Sequence, residues 1–388
     1  MVFTEIKQLN ENKYYYRVRS FRNGKKVTKK RIYLGVNLSP ENLLKKEKKA
    51  DNKLNPTSML LEEELEPKTK PNIEIDYSLV KILTGSDLSK RKLPIMKIQS
   101  QNPGPVIWLT ACSHGDEVGG SVVIHEIFKI IRKIGLLKGT IYAIPLMNPL
   151  GFETASRHVT FSEEDLNRSF VGDEHGSLAE RIANLIFTEI IRTSPDLVLD
   201  LHNDWINSIP HVLIDPLIPG LEKTYEKIKF LAEKSELPMI LDTEEIEKSL
   251  SYSLFKNKIP AITFELGGAH TVNELDIMYG VRAIWKILLN LGLVSNIEPG
   301  REFPTPKEIK GKILMYSQKP TCSTSGILRF MVHPGEIIEK NHPIAKVYNA
   351  FGQHLETLYS IKKAIILGYA DYSIAFPGSP VMSFGTFN

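Results

Sequence analysis

Runs of apolar, β-branched residues alternate along most of this chain with stretches whose apolar positions recur near every 3.6 residues. Residues 106–111 form one such run and predict a buried strand. A turn carrying His114, Gly115, Asp116 and Glu117 ends it, and Val118, Val122, Val123, Ile127, Ile130, Ile131 and Ile134 then fall on a helical period. Further buried strands are predicted at 139–145, 195–201 and 260–264, and further helices at 178–191 and about 274–291. Two more strands, at 79–83 and 94–98, lead into the first. Strands alternating with helices imply an α/β fold, a mixed, mostly parallel sheet with helices on both faces.

Both ends of the chain break this pattern. Aromatic and β-branched residues at 14–35 flank Asn23-Gly24, a strong hairpin signal. Residues 38–75 are rich in Lys, Glu, Pro and Asn and read as a linker or mobile helical segment, with a short helix near Met59, Leu60 and Leu61. From about residue 304 short strands and turns take over, as at 332–338 and 341–347. The expected regions are a basic N-terminal β-hairpin module (1–37), the linker (38–75), a catalytic α/β domain (76–303) and a small C-terminal β-domain (304–388).

Charge changes the picture at one end only. Residues 1–50 hold 14 Lys and Arg against 4 Glu, whereas all 388 residues net +4, so a basic arm sits on an acidic body. Tyr and Arg interleaved at 14–22 could stack on and neutralise a nucleic acid. The weightier reading of this arm is a solvated edge hairpin whose lysines block aggregation. The start of the chain carries charges where a secretory leader has an apolar core, and no uncharged apolar run is long enough to span a membrane. With only Cys112 and Cys322 there is no disulfide framework. A cytoplasmic protein without a membrane partner is the expectation.

In a parallel α/β sheet the ligand site lies outside the carboxyl ends of the strands. Four polar stations occupy that position: His114 with Glu117, the loop after Asn148, His202, and Glu265. His-x-x-Glu alone is weak, and His333-Pro334-Gly335-Glu336 repeats the spacing where Pro and Gly read as a turn between short strands. His114, Glu117 and His202 would together make a two-histidine, one-carboxylate zinc site with an open fourth position. The 88 residues from His114 to His202 are too many for a zinc finger and suit ligands on different strands. Such chemistry also needs a carboxylate that is not a ligand, and Glu265 is the candidate general acid/base. On the long loop, Arg157, Asn167 and Arg168 are candidates for binding a carboxylate or a developing oxyanion.

Taken together, His-Gly-Asp-Glu at 114–117, Arg157 followed by Asp165-Leu166-Asn167-Arg168, Asp200-Leu201-His202-Asn203, and Phe264-Glu265-Leu266-Gly267-Gly268 resemble the succinylglutamate desuccinylase/aspartoacylase family of the zinc carboxypeptidase superfamily. The resemblance covers roughly residues 75–388, and the four motifs stand in the family's order. It implies a zinc carboxypeptidase-like fold, one zinc per chain on His114, Glu117 and His202, and Glu265 as general acid/base. It also implies Arg157 near the oxyanion, and Asn167 with Arg168 on the substrate's α-carboxylate. The expected activity is removal of an acyl group from an N-acyl amino acid or similar small amide. A zinc carboxypeptidase is the alternative within enzymes, and a nucleic-acid or protein-binding module using the basic arm is the alternative outside them. Neither the acyl group and amine nor the oligomeric state follows from these residues, so a homo-oligomer remains compatible with them.

Overall fold

A computed structural model describes residues 2–9, 12–23, 26–54, 72–84, 88–243 and 246–387. They fall into two compact units, Met1–Glu66 and Pro67–Asn388.

In the first unit, β1 (Val2–Leu9), β2 (Asn12–Asn23) and β3 (Lys26–Val36) form an antiparallel sheet in that order, followed by α1 (Pro40–Leu54). The expected hairpin is therefore the second half of a three-stranded sheet. Asn23 pairs with Lys26, while Gly24 of the turn lies outside the described residues, as does the short helix expected near Met59. Tyr15 and Leu34 on one face of the sheet pack with Ile32, Leu38, Leu43 and Ala50, which gives the unit a small core.

The second unit opens with β4 (Ile73–Thr84) and β5 (Lys90–Ser100), an antiparallel pair. Next come β6 (Val106–Ala111), α2 (Gly119–Ile134), β7 (Thr140–Ile144), the short α3 (Pro149–Glu153) and α4 (Leu178–Ile191). The chain continues through β8 (Leu197–Asp204), β9 (Asn207–Ser208), β10 (His211–Ile214), α5 (Glu222–Lys234), β11 (Met239–Leu241), α6 (Leu250–Lys256), β12 (Ala261–Gly268) and α7 (Glu274–Asn290). Its last part is all strand: β13 (Ile313–Ser317), β14 (Gly326–Phe330), β15 (Ile337–Ile338), β16 (Pro343–Tyr348), β17 (His354–Tyr359), β18 (Ala364–Tyr369), β19 (Ile374–Ala375) and β20 (Met382–Thr386).

One mixed sheet dominates, in the order β15-β18-β20-β13-β11-β10-β12-β8-β6-β7-β5-β4. Its middle strands β12, β8, β6 and β7 run parallel, as do β10, β11 and β13, while β10 meets β12 antiparallel. Antiparallel pairs close both flanks. Alternate strand residues face opposite layers. Trp108 and Val198 pack with Ile182 and Ile186 of α4 and Leu250 and Leu254 of α6. Ala111 and Leu201, of the other parity, meet α2 at Gly120, and α7 packs on α2. Helices thus cover both faces. Strands beyond residue 304 divide: β13, β15, β18 and β20 extend the large sheet, and β17-β16-β14-β19 make a separate antiparallel one. Among the described residues no helix is long and apolar enough to cross a membrane.

Candidate metal centre and active site

Parallel strands β6, β8 and β12 bring their carboxyl ends to one place. Their register sets Thr110 beside Asp200 and His202 beside Glu265. After β6, Cys112 adopts a left-handed backbone (φ 57°), and a turn closes as Glu117 N–H donates to the His114 carbonyl at 3.1 Å. Helix α2 starts only at Gly119, so His114 and Glu117 share this turn rather than the first helical turn. Val118 offers no cap; Asn203 does, its Oδ1 accepting from Gly119 N–H at 2.9 Å.

Gly115, inside this turn, meets a second constraint from the loop after β7. A Cβ there would run into the backbone of Gly151, and Gly115 N–H donates to the Ser156 carbonyl at 2.9 Å. Glycine is required by the close pass of two backbones, which pins the ligand turn to the loop bearing Arg157.

His114, Glu117 and His202 are all buried, and their ligand atoms lie within 4.8 Å of one another. Glu117 bridges the imidazoles: Oε1 is 2.6 Å from His114 Nδ1 and Oε2 is 2.8 Å from His202 Nδ1. Asn203 N–H also donates to Glu117 Oε2 at 3.1 Å. On the outer side His114 Nε2 meets Asp165 Oδ1, and His202 Nε2 meets Asp200 Oδ2, each at 3.0 Å. Thr110 Oγ1 in turn donates to Asp200 Oδ1 at 2.7 Å.

This arrangement fits a metal ion. Histidine ligands commonly give their other ring N–H to a carboxylate, which fixes the ring and raises its basicity. Here both outer nitrogens are so held and both inner ones face the same carboxylate. Two imidazoles and one carboxylate converging on one point at the wall of an open cavity are the donor set of a site with a free coordination position. Burial disfavours a charged His202, yet Asp200 and Glu117 outweigh it and hold its pKa well above the ordinary value. Burial likewise disfavours the Glu117 carboxylate, but His114 and His202 prevail and keep it ionised below the usual carboxylate range.

Glu265 stands on β12 without joining the three. Among the described residues its buried Oε2 has no hydrogen-bond partner. Burial lifts its pKa well above the ordinary value; His202 and Arg157 oppose that rise, and Asp204 and Glu117 add to it. Arg157 borders the cluster, with Nη2 donating to Asp165 at 2.9 Å and Nη1 3.3 Å from His114 Nδ1. Asn167 Oδ1 accepts from Leu250 N–H at 2.9 Å, and Arg168 Nη1 donates to the Asn167 carbonyl at 2.9 Å. All seven residues singled out from the sequence line one cavity of about 430 Å³.

The sequence motifs contain Asp165 and Asp200 without implying a role for either, yet each holds the outer nitrogen of one histidine. Asp200 and His202 are two apart on a strand, hence on one face, and that spacing was a signal for the pairing. Tyr316, Gln318 and Asp371 also line the cavity and come from the strand-rich end of the chain. No local pattern announces them. His333 and Glu336, by contrast, form the expected turn, with Glu336 N–H donating to the His333 carbonyl at 3.1 Å and Gly335 at φ 90°.

Comparison with known proteins agrees with this fold. Residues 103–291 match the model of the succinylglutamate desuccinylase/aspartoacylase catalytic domain. Over 270 residues the chain is 28% identical to the N-alpha-acetyl-L-2,4-diaminobutyric acid deacetylase of Halomonas elongata, spanning 66% of this chain and 74% of that protein. The product-bound ectoine utilization protein EutE (DoeB) of Ruegeria pomeroyi shares the fold with a TM-score of 0.69 at 19% identity, covering 82% of this chain and 97% of that one. A succinylglutamate desuccinylase/aspartoacylase from Rhodobacter sphaeroides gives 0.68 at 17% identity, covering 82% and 96%.

Proposed function

We propose that this chain, whose residues 103–291 match the succinylglutamate desuccinylase/aspartoacylase catalytic domain, is a zinc-dependent amidohydrolase that removes the acyl group from an N-acyl amino acid or similar small amide. The observation that carries this reading is Glu265: a buried carboxylate oxygen without a partner, on the wall of the cavity that holds His114, Glu117 and His202. An unpaired buried polar atom is costly, and such atoms in native proteins commonly serve chemistry.

Zinc held by His114, Glu117 and His202 would polarise the amide carbonyl and bring the pKa of a water towards roughly 7. Glu265 would take the proton of the attacking water as the water's oxygen bonds to the acyl carbon. The same carboxyl then gives the proton to the amine nitrogen as the carbon–nitrogen bond breaks. Its raised proton affinity suits both halves of that exchange. Arg157, held by Asp165, stands where its second nitrogen can meet negative charge developing on the carbonyl oxygen. Arg168, with the amide donor end of Asn167, takes the substrate's α-carboxylate; the oxygen end of Asn167 is already committed to Leu250. Asp165 and Asp200 keep the imidazoles turned inward.

The name of the Halomonas relative describes removal of an acetyl group from an acylated diamino acid, which supports the same substrate class here. Purified full-length protein should release free amine from at least one member of a panel of N-acetyl and N-succinyl amino acids. A chelator should stop the reaction and zinc should restore it. Cleavage confined to the C-terminal residues of peptides would make the protein a carboxypeptidase instead.

A further inference from the structure

One buried histidine of the cavity has no part in the chemistry above. His211 opens β10, is 1% exposed, and stands directly across from Glu265 on the neighbouring strand. The register sets His202 of β8, Glu265 of β12 and His211 of β10 side by side, and all three line the cavity. Glu265 therefore has a candidate metal ligand on one flank and an unassigned imidazole on the other. Two strand spacings, about 10 Å in all, separate the outer pair.

The partner of His211 places its proton. Nδ1 lies 2.9 Å from the Ile209 carbonyl oxygen, which can only accept, so Nδ1 carries the hydrogen and Nε2 the lone pair. Burial pushes the pKa down to about 4 against that bond, so the ring stays neutral at neutral pH. His114 and His202 have both nitrogens engaged. Among the described residues no hydrogen bond engages Nε2 of His211. An acceptor left open in a buried wall is costly until a donor meets it.

We propose that Nε2 of His211 accepts a hydrogen bond from the N–H of the scissile amide and so selects secondary amides over esters of the same acyl group. This role rests on the deacylase reading and adds to it the group that reads the bond to be cut. In a trans amide the carbonyl and the N–H point in opposite directions. Arg157, set to meet the carbonyl oxygen, lies against His114, on the β6 side of Glu265. The N–H of the same amide then points to the β10 side, where His211 stands. With that hydrogen held by His211, the nitrogen is free to turn its lone pair to Glu265, which must deliver the proton. An ester places an oxygen there instead, lone pair against lone pair, and leaves Nε2 unsatisfied. A site built to meet an N–H discriminates strongly against the analogue without one.

The test pairs two substrates with two variants of the full-length, zinc-loaded protein. The substrates are an N-acyl amino acid that the parent cleaves and the ester in which oxygen replaces its N–H. His211→Asn keeps a side-chain N–H for the Ile209 carbonyl but withdraws the acceptor, whereas His211→Gln puts an amide oxygen near the place of Nε2. For the amide, kcat/KM should fall about 30-fold or more in His211→Asn and return to within about tenfold of the parent in His211→Gln. For the ester, His211→Asn should stay within about threefold of the parent, because no N–H is there to lose. An ester that the parent does not turn over is read through its inhibition constant against the amide, with the same expectation. Equal losses on amide and ester would make His211 a structural histidine and overturn the proposal, as would an unchanged amide rate in His211→Asn. Long-range 1H–15N spectra add a readout without turnover. The His211 ring should carry its proton on Nδ1, and its Nε2 signal should shift when the amide, not the ester, binds the Glu265→Gln protein. A ring protonated on Nε2 would also overturn the proposal. A parent that cleaves no amide would sink the deacylase reading and this role with it, whereas amide cleavage with any contrary result above sinks this role alone.

Discussion

His114–Glu117 and His333–Glu336 have the same residue types at the same spacing, and both sit in turns closed by a backbone hydrogen bond of 3.1 Å. What separates them is where each turn is delivered. The first ends the middle strand of a parallel set, so a neighbouring strand supplies His202, Asp200 orients that histidine, and the loop after β7 supplies Asp165 and Arg157. The second joins β14 to β15, which belong to different sheets, and the described residues bring no second histidine to it. A ligand motif is thus a property of the sheet that presents it. Spacing only permits the two side chains to meet.

The sharpest way to break this comparison is to remove one ligand from each turn. His114→Ala or His202→Ala should abolish zinc binding and reduce turnover to background, whereas His333→Ala should leave both unchanged. Elemental analysis alongside the deacylase assay decides, and full metal occupancy in the His202→Ala protein would sink the ligand assignment.

A smaller effect separates the two arginines that border the first turn. Removing Arg168 should chiefly raise KM, because a carboxylate clamp grips ground and transition states alike. Removing Arg157 should chiefly lower kcat, by about 10²–10³ if it stabilises developing charge. Steady-state kinetics on both variants would show the split, and equal changes in both constants would leave these roles without support.

The two glycines extend the contrast at smaller scale. Gly115→Ala puts a methyl into the Gly151 backbone and must displace the loop that carries Arg157, so activity should fall by about 10²-fold, the usual worth of an ångström-scale misplacement. Gly335→Ala meets only Ile209 Cγ2, at an ordinary 3.7 Å, but keeps a left-handed φ of 90°, and should cost about 1–2 kcal/mol of stability with no loss of turnover. Thermal melts and assays on the two proteins read both numbers.

These contrasts also mark what could be read before the fold was seen. Strand ends were legible because an apolar run stops abruptly, and the site residues stand at such stops: the ligands His114 and Glu117 just after β6 and His202 near the end of β8, and the non-ligand Glu265 near the end of β12. The insertion of β10 between β12 and β11 was not, since four residues, His211–Ile214, carry too little pattern to fix a direction. Strand β1 escaped for a related reason: Glu5, Lys7 and Gln8 dilute its apolar positions, and its pairing with β2 supplies what the pattern lacks. Tyr316, Gln318 and Asp371 reach the cavity through sheet order alone, which no local stretch encodes.

The central claim is that the first turn holds a metal for hydrolysis and that Glu265 moves the proton. Glu265→Gln keeps the side chain's size and most of its hydrogen-bonding capacity but removes the proton acceptor. Zinc content and kcat measured on the same preparation test the claim most directly. We expect zinc at the parent's level and turnover lower by about 10²–10⁴, the usual worth of a positioned acid/base. A variant that melts earlier yet turns over normally per folded molecule would contradict the account and leave Glu265 a structural carboxylate beside a metal-binding turn.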